Sequence, residues 1–282
     1  MGDILWIEVK SREPQIVGWC LFVTAGPRPA DLDVAGVADV AQAIRAGAVT
    51  PWYQPIIDLS TGQIVGLEAL ARRHYPDGRI EAADAFVPIA ERSDLIVDLD
   101  LAIAGQALTD LKRWQRDRPA LKMSINLSGR HLDQNDWVTG VSHLAATSGV
   151  SPSTVQLEIT ETARPAHSAS GDARIQLARS LGFSLWLDDF GSGWSGLRDL
   201  LRLSVDGIKL DQSFAAALGT TVGDVLVRAL TTAASELGLK VTVEGVESPQ
   251  QATLAGELGC QFGQGFFWSR PVPASGVGRL LN

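Results

Sequence analysis

The chain has 282 residues, 45% of them hydrophobic and 20% charged, enough for one large core and within the length that α/β barrels reach as a single domain. A net charge of -8 and a pI near 5.0 argue against a binder of DNA or RNA polymers, while a small anionic substrate fits if metal neutralises it locally. With only Cys20 and Cys260, the sequence predicts no disulfide framework and fits a reducing cytoplasm.

In chain order, the first residues lack the basic and long apolar regions of a signal peptide, and Trp6 does not fit a myristoylation signal. The run Ile16–Val23 is too short to span a bilayer, so no membrane span is expected. Residues 1–33 are predicted to form an N-terminal extension. It would hold two short strands, Ile4–Val9 and Ile16–Val23, and a Pro- and Gly-bearing linker at 25–30. It reads either as a regulatory fragment or as a strand pair docked on the main domain.

The main domain is predicted to span 34–282. A helix pattern from Val34 to Gly47 precedes two extended apolar runs, Trp52–Leu59 and Ile64–Leu70. The turn residues Ser60-Thr61-Gly62-Gln63 between them predict an antiparallel hairpin. Helices are predicted at Ala83–Arg92 and Val97–Arg116, then strand Lys122–Leu127, helix Asp136–Ser148, strand Val155–Thr160 and helix Ser170–Leu181. A buried strand then runs into Asp188-Asp189. After it come a short helix at Leu197–Leu203, strand Gly207–Leu210, helix Thr221–Leu237, strand Lys240–Val243, helix Pro249–Leu258 and strand Gln261–Phe267. Strands alternating with helices predict a parallel sheet. About eight strands over this length predict a TIM-like (β/α)8 barrel with an antiparallel first strand.

The ends of these strands carry Glu68, Asn126, Glu158, Asp188 with Asp189, Lys209, Glu244 and Gln264. In a parallel barrel such ends share the face where barrel enzymes place their sites. Oxygen ligands on successive strands fit a hard divalent cation, Mg²⁺ or Mn²⁺. The adjacent aspartates could serve two cations, as in two-metal phosphoester cleavage. The histidines, His74, His131, His143 and His167, fall in predicted loops or helices and show no zinc spacing. Lys209, inside an apolar strand, is either a counter-ion to the acids or a group that handles the water nucleophile. Gly191-Ser192-Gly193-Trp194-Ser195-Gly196 matches a dinucleotide-binding fingerprint. Two carboxylates just before it would repel a pyrophosphate, and no first βαβ unit leads into it, so a nicotinamide site is set aside.

The chain resembles the EAL-domain cyclic di-GMP phosphodiesterases from about residue 34 onward. The resemblance rests on Glu68-Ala69-Leu70, Tyr53-Gln54-Pro55-Ile56, Ser124-Ile125-Asn126-Leu127-Ser128 and Leu157-Glu158-Ile159-Thr160-Glu161. It continues through Asp188-Asp189-Phe190-Gly191, Ile208-Lys209-Leu210-Asp211, Glu244-Gly245-Val246-Glu247 and Gln264-Gly265-Phe266 to Ser269-Arg270-Pro271. It implies hydrolysis of cyclic di-GMP to linear pGpG with two cations, Mg²⁺ or Mn²⁺. By the same resemblance Glu68, Asn126, Glu158 and Asp188 hold one cation, and Asp188, Asp189 and Glu244 the other. Lys209 orients the attacking water and Glu244 acts as base as well as ligand. Arg72 contacts a substrate phosphate, and Gln54, Leu67 and Gln264 seat the nucleotide. Glu161, Asp211 and Glu247 support the loop after the aspartates and the second-cation side. A homodimer is also implied, coupled to activity through that loop, where Ser192, Trp194 and Gly196 depart from the family pattern. Arg73 and Tyr75 depart near the groove rim. A catalytically silent receptor for cyclic di-GMP, signalling through a protein partner, is the alternative.

Overall fold

The computed structural model describes residues 34–93, 95–128, 137–160, 169–192, 200 and 204–282. Helix α1 (Val34–Arg45) leads into β1 (Val49–Asp58), which pairs antiparallel with β2 (Ile64–His74). Asp58 closes the hairpin, its Oδ1 accepting from the backbone N–H of Ser60 at 2.9 Å and of Thr61 at 3.0 Å. From β2 the sheet continues in parallel through β4 (Lys122–Leu127), β5 (Val155–Thr160), β6 (Ser184–Phe190), β7 (Gly207–Leu210), β8 (Lys240–Val243) and β9 (Phe262–Gly263). Strand β9 returns to β1 in antiparallel pairing, which closes the barrel. Two short strands, β3 (Ile80–Ala82) on β2 and β10 (Val272–Pro273) on β1, add to it outside the ring.

The parallel strands are short and apolar, as sheets covered on both faces require. Helices α2 (Ala83–Glu91), α3 (Leu95–Trp114), α4 (Trp137–Ser148), α5 (Ala169–Ser180), α6 (Gln212–Ala217), α7 (Thr221–Glu236), α8 (Pro249–Glu257) and α9 (Ala274–Leu281) accompany them. Helix α3 buries Leu99, Ile103, Ala107, Leu108 and Leu111, the spacing of a single apolar stripe. It is tied to β1 by Tyr53, whose hydroxyl donates to Asp110 Oδ2 at 2.7 Å and whose ring meets Trp114 edge-on. Helix α8 starts at a capping box of Ser248 and Gln251 with Pro249 in its first turn.

The barrel and its antiparallel first strand agree with the sequence expectation, while the ends of β2 and of the last barrel strand differ. Strand β2 runs on to His74, because β1 and β3 keep it paired beyond the barrel rim. His74 therefore ends a strand, within 2.8 Å of the Thr50 hydroxyl, and is neither in a loop nor in a helix. The last barrel strand is only Phe262–Gly263, not Gln261–Phe267. Gly265 lies directly against the Val246 backbone, and Phe267 N–H donates to Val246 O at 3.0 Å, so the chain leaves the sheet to pack there. Strands β3 and β10 and helix α6 are too short to be predicted, and helix α9, which buries Val277 and Leu281, has no counterpart among the predicted elements. The expected strands Ile4–Val9 and Ile16–Val23, the linker, His131 and His167 lie outside the described residues, as does the expected helix Leu197–Leu203 except Leu200.

Candidate active site

The hairpin builds one wall. Register places Gln54 opposite Glu68, and Trp52 opposite Leu70. Asn126, Glu158, Asp188 and Lys209 come from β4, β5, β6 and β7, while Glu244 and Gln264 directly follow β8 and β9. All stand toward the C-terminal mouth of the parallel strands.

Asp188 and Asp189 are neighbours, and a regular strand would send them to opposite faces. The chain avoids this with a bulge: the β6–β7 register shifts between Leu187 and Phe190, and Asp189 has φ 52°. Such a backbone is uncommon outside glycine and concentrates at functional sites. Its effect is that Asp188, Asp189 and Glu244 offer carboxylate oxygens within 4.8 Å of one another. Gly191 follows at φ 94°, and Phe214 fills the space a side chain there would need, with Cε2 at 2.5 Å from the would-be Cβ.

Lys209 sits at the centre of the acids. Its Nζ lies 2.6 Å from Glu244 Oε1, 2.9 Å from Glu158 Oε2, 3.0 Å from Asp188 Oδ1 and 3.3 Å from Glu68 Oε2. Burial alone would drive the ammonium toward neutrality. The charges of Asp188, Glu158, Glu244 and Glu68 overcome it and hold the Lys209 pKa well above its ordinary value. One ammonium cannot keep every carboxylate ionised. Burial pushes Glu158 well above the usual range despite Lys209, while Lys209, Gln264 and Asn126 together hold Glu68 below it against burial. Burial, opposed by Lys209 and reinforced by Asp188, raises Glu244 to about 8. Burial and then Asp188 raise Asp189 to about 6.

This negative charge fits metal. Glu68, Glu158 and Asp188 form one triad of converging oxygens, and Asp188, Asp189 and Glu244 a second, sharing Asp188. Glu158 Oε1 and Asp188 Oδ1 are buried without a hydrogen-bond partner, the latter facing Lys209 at ion-pair distance but without hydrogen-bond geometry. Unsatisfied buried carboxylate oxygens are costly unless a cation joins them. Asn126 Nδ2 donates to Glu68 Oε1 at 2.7 Å, which leaves its carbonyl oxygen free as a further hard ligand. These groups open into a cleft of about 400 Å³ also lined by Leu70, Asp211, Gln212, Glu247 and Phe266.

The family model described as "EAL domain" matches residues 37–271. The chain belongs to the EAL domain family. It is 33% identical over 246 residues to the Cyclic di-GMP phosphodiesterase NbdA of Pseudomonas aeruginosa, a match covering 86% of this chain and 31% of that protein. The structure of the EAL enzyme Bd1971 in its cAMP and cyclic-di-GMP bound form superposes with a TM-score of 0.83 and 30% identity, over 88% of this chain and 69% of that one. The PaMucR phosphodiesterase in complex with c-di-GMP does so at 0.80 and 28%, over 86% of this chain and 100% of that one. The chain spans about a third of NbdA's length and 42% of a mycobacterial relative's.

Within this EAL domain the structure gathers Glu68, Asn126, Glu158, Asp188, Asp189, Lys209, Glu244, Gln54 and Gln264 into one cluster. Gln264 Nε2 bridges Gln54 Oε1 at 3.0 Å and Glu68 Oε2 at 2.6 Å, and Gln54 Nε2 donates to Ser269 O at 3.0 Å. Asp211 caps α6, accepting from Ser213 N–H, and lines the cleft with Glu247. Leu67 is a correction: it is fully buried in the apolar core and absent from the cleft wall, because it alternates with Glu68. Leu70 takes the wall position. Arg72 is half-buried on the same strand face as Glu68 and Leu70, at the rim. Glu161, Trp194 and Gly196 lie outside the described residues. Of the lining residues the sequence assigned no role, Phe266 was visible in a family motif, while Gln212 carried no signal.

Proposed function

We propose that this EAL domain hydrolyses cyclic di-GMP to linear pGpG. The observation that carries the reading is the pair of carboxylate triads sharing Asp188 around a single buried lysine. Family membership and the dinucleotide named in related complexes support it. Glu68, Asn126, Glu158 and Asp188 would hold one divalent cation, and Asp188, Asp189 and Glu244 a second. Two cations, Mg²⁺ or Mn²⁺, would supply there Lewis acidity and neutralisation of phosphate charge.

The chain's own groups divide the remaining work. Lys209 keeps its protons and orients the attacking water. Glu244, with Oε1 held by Lys209, accepts the water's proton. The water oxygen bonds to phosphorus as the P–O3′ bond breaks, and the proton taken up by Glu244 passes through solvent water to the leaving 3′ oxygen, which returns Glu244 to its carboxylate form. Gln264 Oε1, buried without a partner, can accept from a nucleotide N–H or O–H. Arg72 meets a substrate phosphate with its planar fork. Glu161, Asp211 and Glu247 support the loop after the aspartates and the second-cation side. Residues 34–282 are taken as the catalytic barrel and 1–33 as an extension. A homodimer is part of the reading on the family likeness of the loop from Gly191, and a cytoplasmic location on cysteine usage. Among the described residues no helix is long and apolar enough to cross a membrane.

The purified protein is expected to convert cyclic di-GMP to pGpG with Mg²⁺ or Mn²⁺, followed by chromatography of the product. Binding of the dinucleotide without product under either metal would replace hydrolysis with the silent-receptor reading.

A further inference from the structure

The antiparallel register of β1 and β2 stacks three cross-strand pairs on the cleft face: Gln54 with Glu68, Trp52 with Leu70, and Thr50 with Arg72. The first pair floors the cleft and Leu70 lines it. Trp52, level with Leu70, and Arg72, one pair further from the acids, are therefore diagonal neighbours beyond the cleft lining. The Arg72 guanidinium carbon lies 5.9 Å from the centre of the Trp52 ring. Arg72 Nη1 donates to Ala71 O at 2.8 Å.

The next residue makes a useful contrast. Arg73 is buried and paired with Asp39 at 2.5 Å and with Glu81 at 3.7 Å. Arg72 has no such carboxylate pair among the described residues. Its guanidinium is held close by a ring face and a carbonyl, with the charges of Asp84 and Glu68 acting from beyond ion-pair distance, and most of its N–H groups stay available. Trp52 is also an expensive choice at this position, because its Nε1–H is buried without an acceptor. A residue kept for hydrogen bonding would not leave that donor orphaned, so the large ring is what the position uses. Indole is the strongest aromatic partner for a cation.

We propose that Trp52 is a positioning residue for Arg72: its ring fixes the guanidinium at the cleft rim so that a substrate phosphate meets a preformed fork. This rests on the reading of Arg72 as a phosphate contact. Holding a long side chain in place before binding removes an ordering cost, which appears in substrate affinity and not in the chemical step.

The test is a cycle of Trp52→Leu, Arg72→Ala and the double variant, with Trp52→Phe as the conservative partner. Wild-type turnover of cyclic di-GMP is measured first. If it is absent, hydrolysis fails while this proposal remains testable through the dissociation constant for cyclic di-GMP. Trp52→Leu is expected to raise KM, or that constant, about three- to tenfold with kcat within twofold, and Trp52→Phe to recover most of the loss. In the Arg72→Ala background Trp52→Leu should add nothing. An equal loss in both backgrounds, or a fall in kcat with KM unchanged in the folded Phe variant, overturns the proposal.

Discussion

The barrel has two mouths, and the larger cavity is at the one without the acidic cluster. The C-terminal mouth holds the cleft of about 400 Å³, whereas the opposite mouth encloses about 520 Å³ lined by Ile64, Lys122, Gln156, Thr242 and Phe262 among others. The same strands serve both. Gln156 and Glu158 are two residues apart on β5, and Thr242 and Glu244 are two apart at β8. Between the mouths Trp186 lies against Gly207, each two residues before a site residue, Asp188 and Lys209. At the lower mouth Asp58 accepts from Ser60 and Thr61 and Arg118 donates to Leu281 O, and among the described residues no carboxylates converge there. At the upper mouth five carboxylates face one ammonium. Unmatched charge, not volume, separates a site from a packing gap.

The harshest test of that contrast removes the ammonium. In metal-free protein Lys209→Met should cost roughly 3–5 kcal/mol of stability, because it leaves buried carboxylates uncompensated. Added Mg²⁺ should return part of it by replacing the lost positive charge. Thermal denaturation in EDTA and in Mg²⁺ checks both halves, and a Lys209→Met protein as stable as wild type in EDTA would refute the electrostatic account.

Next in size is Glu68→Ala. It removes a candidate metal ligand that also accepts from Asn126 and Gln264. Turnover should fall roughly 10²–10³-fold, the loss typical of one preorganised electrostatic group. Normal turnover in this variant would sink the ligand assignment.

The contrast between the mouths also explains what was legible in the sequence. Glu68, Asn126, Glu158, Lys209 and Glu244 stood out because polar residues inside or ending apolar strands break the local pattern. That anomaly survives without coordinates. The hairpin was legible from its turn, and with it the antiparallel first strand. The pairing of Trp52 with Arg72 was not, because it depends on cross-strand register, which a one-residue slip would reverse. Nor was the route by which Asp189 joins Asp188, since a left-handed aspartate has no signature in composition. Leu67 was misplaced for the opposite reason: next to Glu68 in sequence, it faces away by alternation.

A pH-dependent effect belongs to the upper mouth alone. The Glu244 pKa is raised from 4.5 to about 8 in the folded protein. Between these values the native state binds more protons than the unfolded state, so stability of the metal-free protein falls as pH rises through this window. Asp189, raised from 3.8 to about 6, adds a weaker contribution in the lower part of that window because it is partly exposed. Glu68, shifted down, acts with the opposite sign below its ordinary value. Denaturant midpoints in EDTA at pH 5 and pH 8 should show the decline. Mg²⁺ binding at pH 7 should release protons, read by calorimetry in buffers of different ionisation enthalpy. A proton-neutral titration would contradict cation binding at these carboxylates.

The smallest effect should come from the lower mouth. Gln156 lines the larger cavity, and its amide reaches Ser124 Oγ at only 3.3 Å, a long bond that contributes little. Gln156→Leu keeps the volume and removes that weak polar pair, so stability should change by about 1 kcal/mol or less. Turnover should stay within about twofold, the null outcome for a surface remote from the chemistry. Gln156 and Glu158 share a strand but face opposite mouths, so this variant perturbs β5 without touching the acidic cluster. A Gln156→Leu protein with normal stability but turnover cut as deeply as Glu68→Ala would show that the lower mouth participates, and the division between the two mouths would fall.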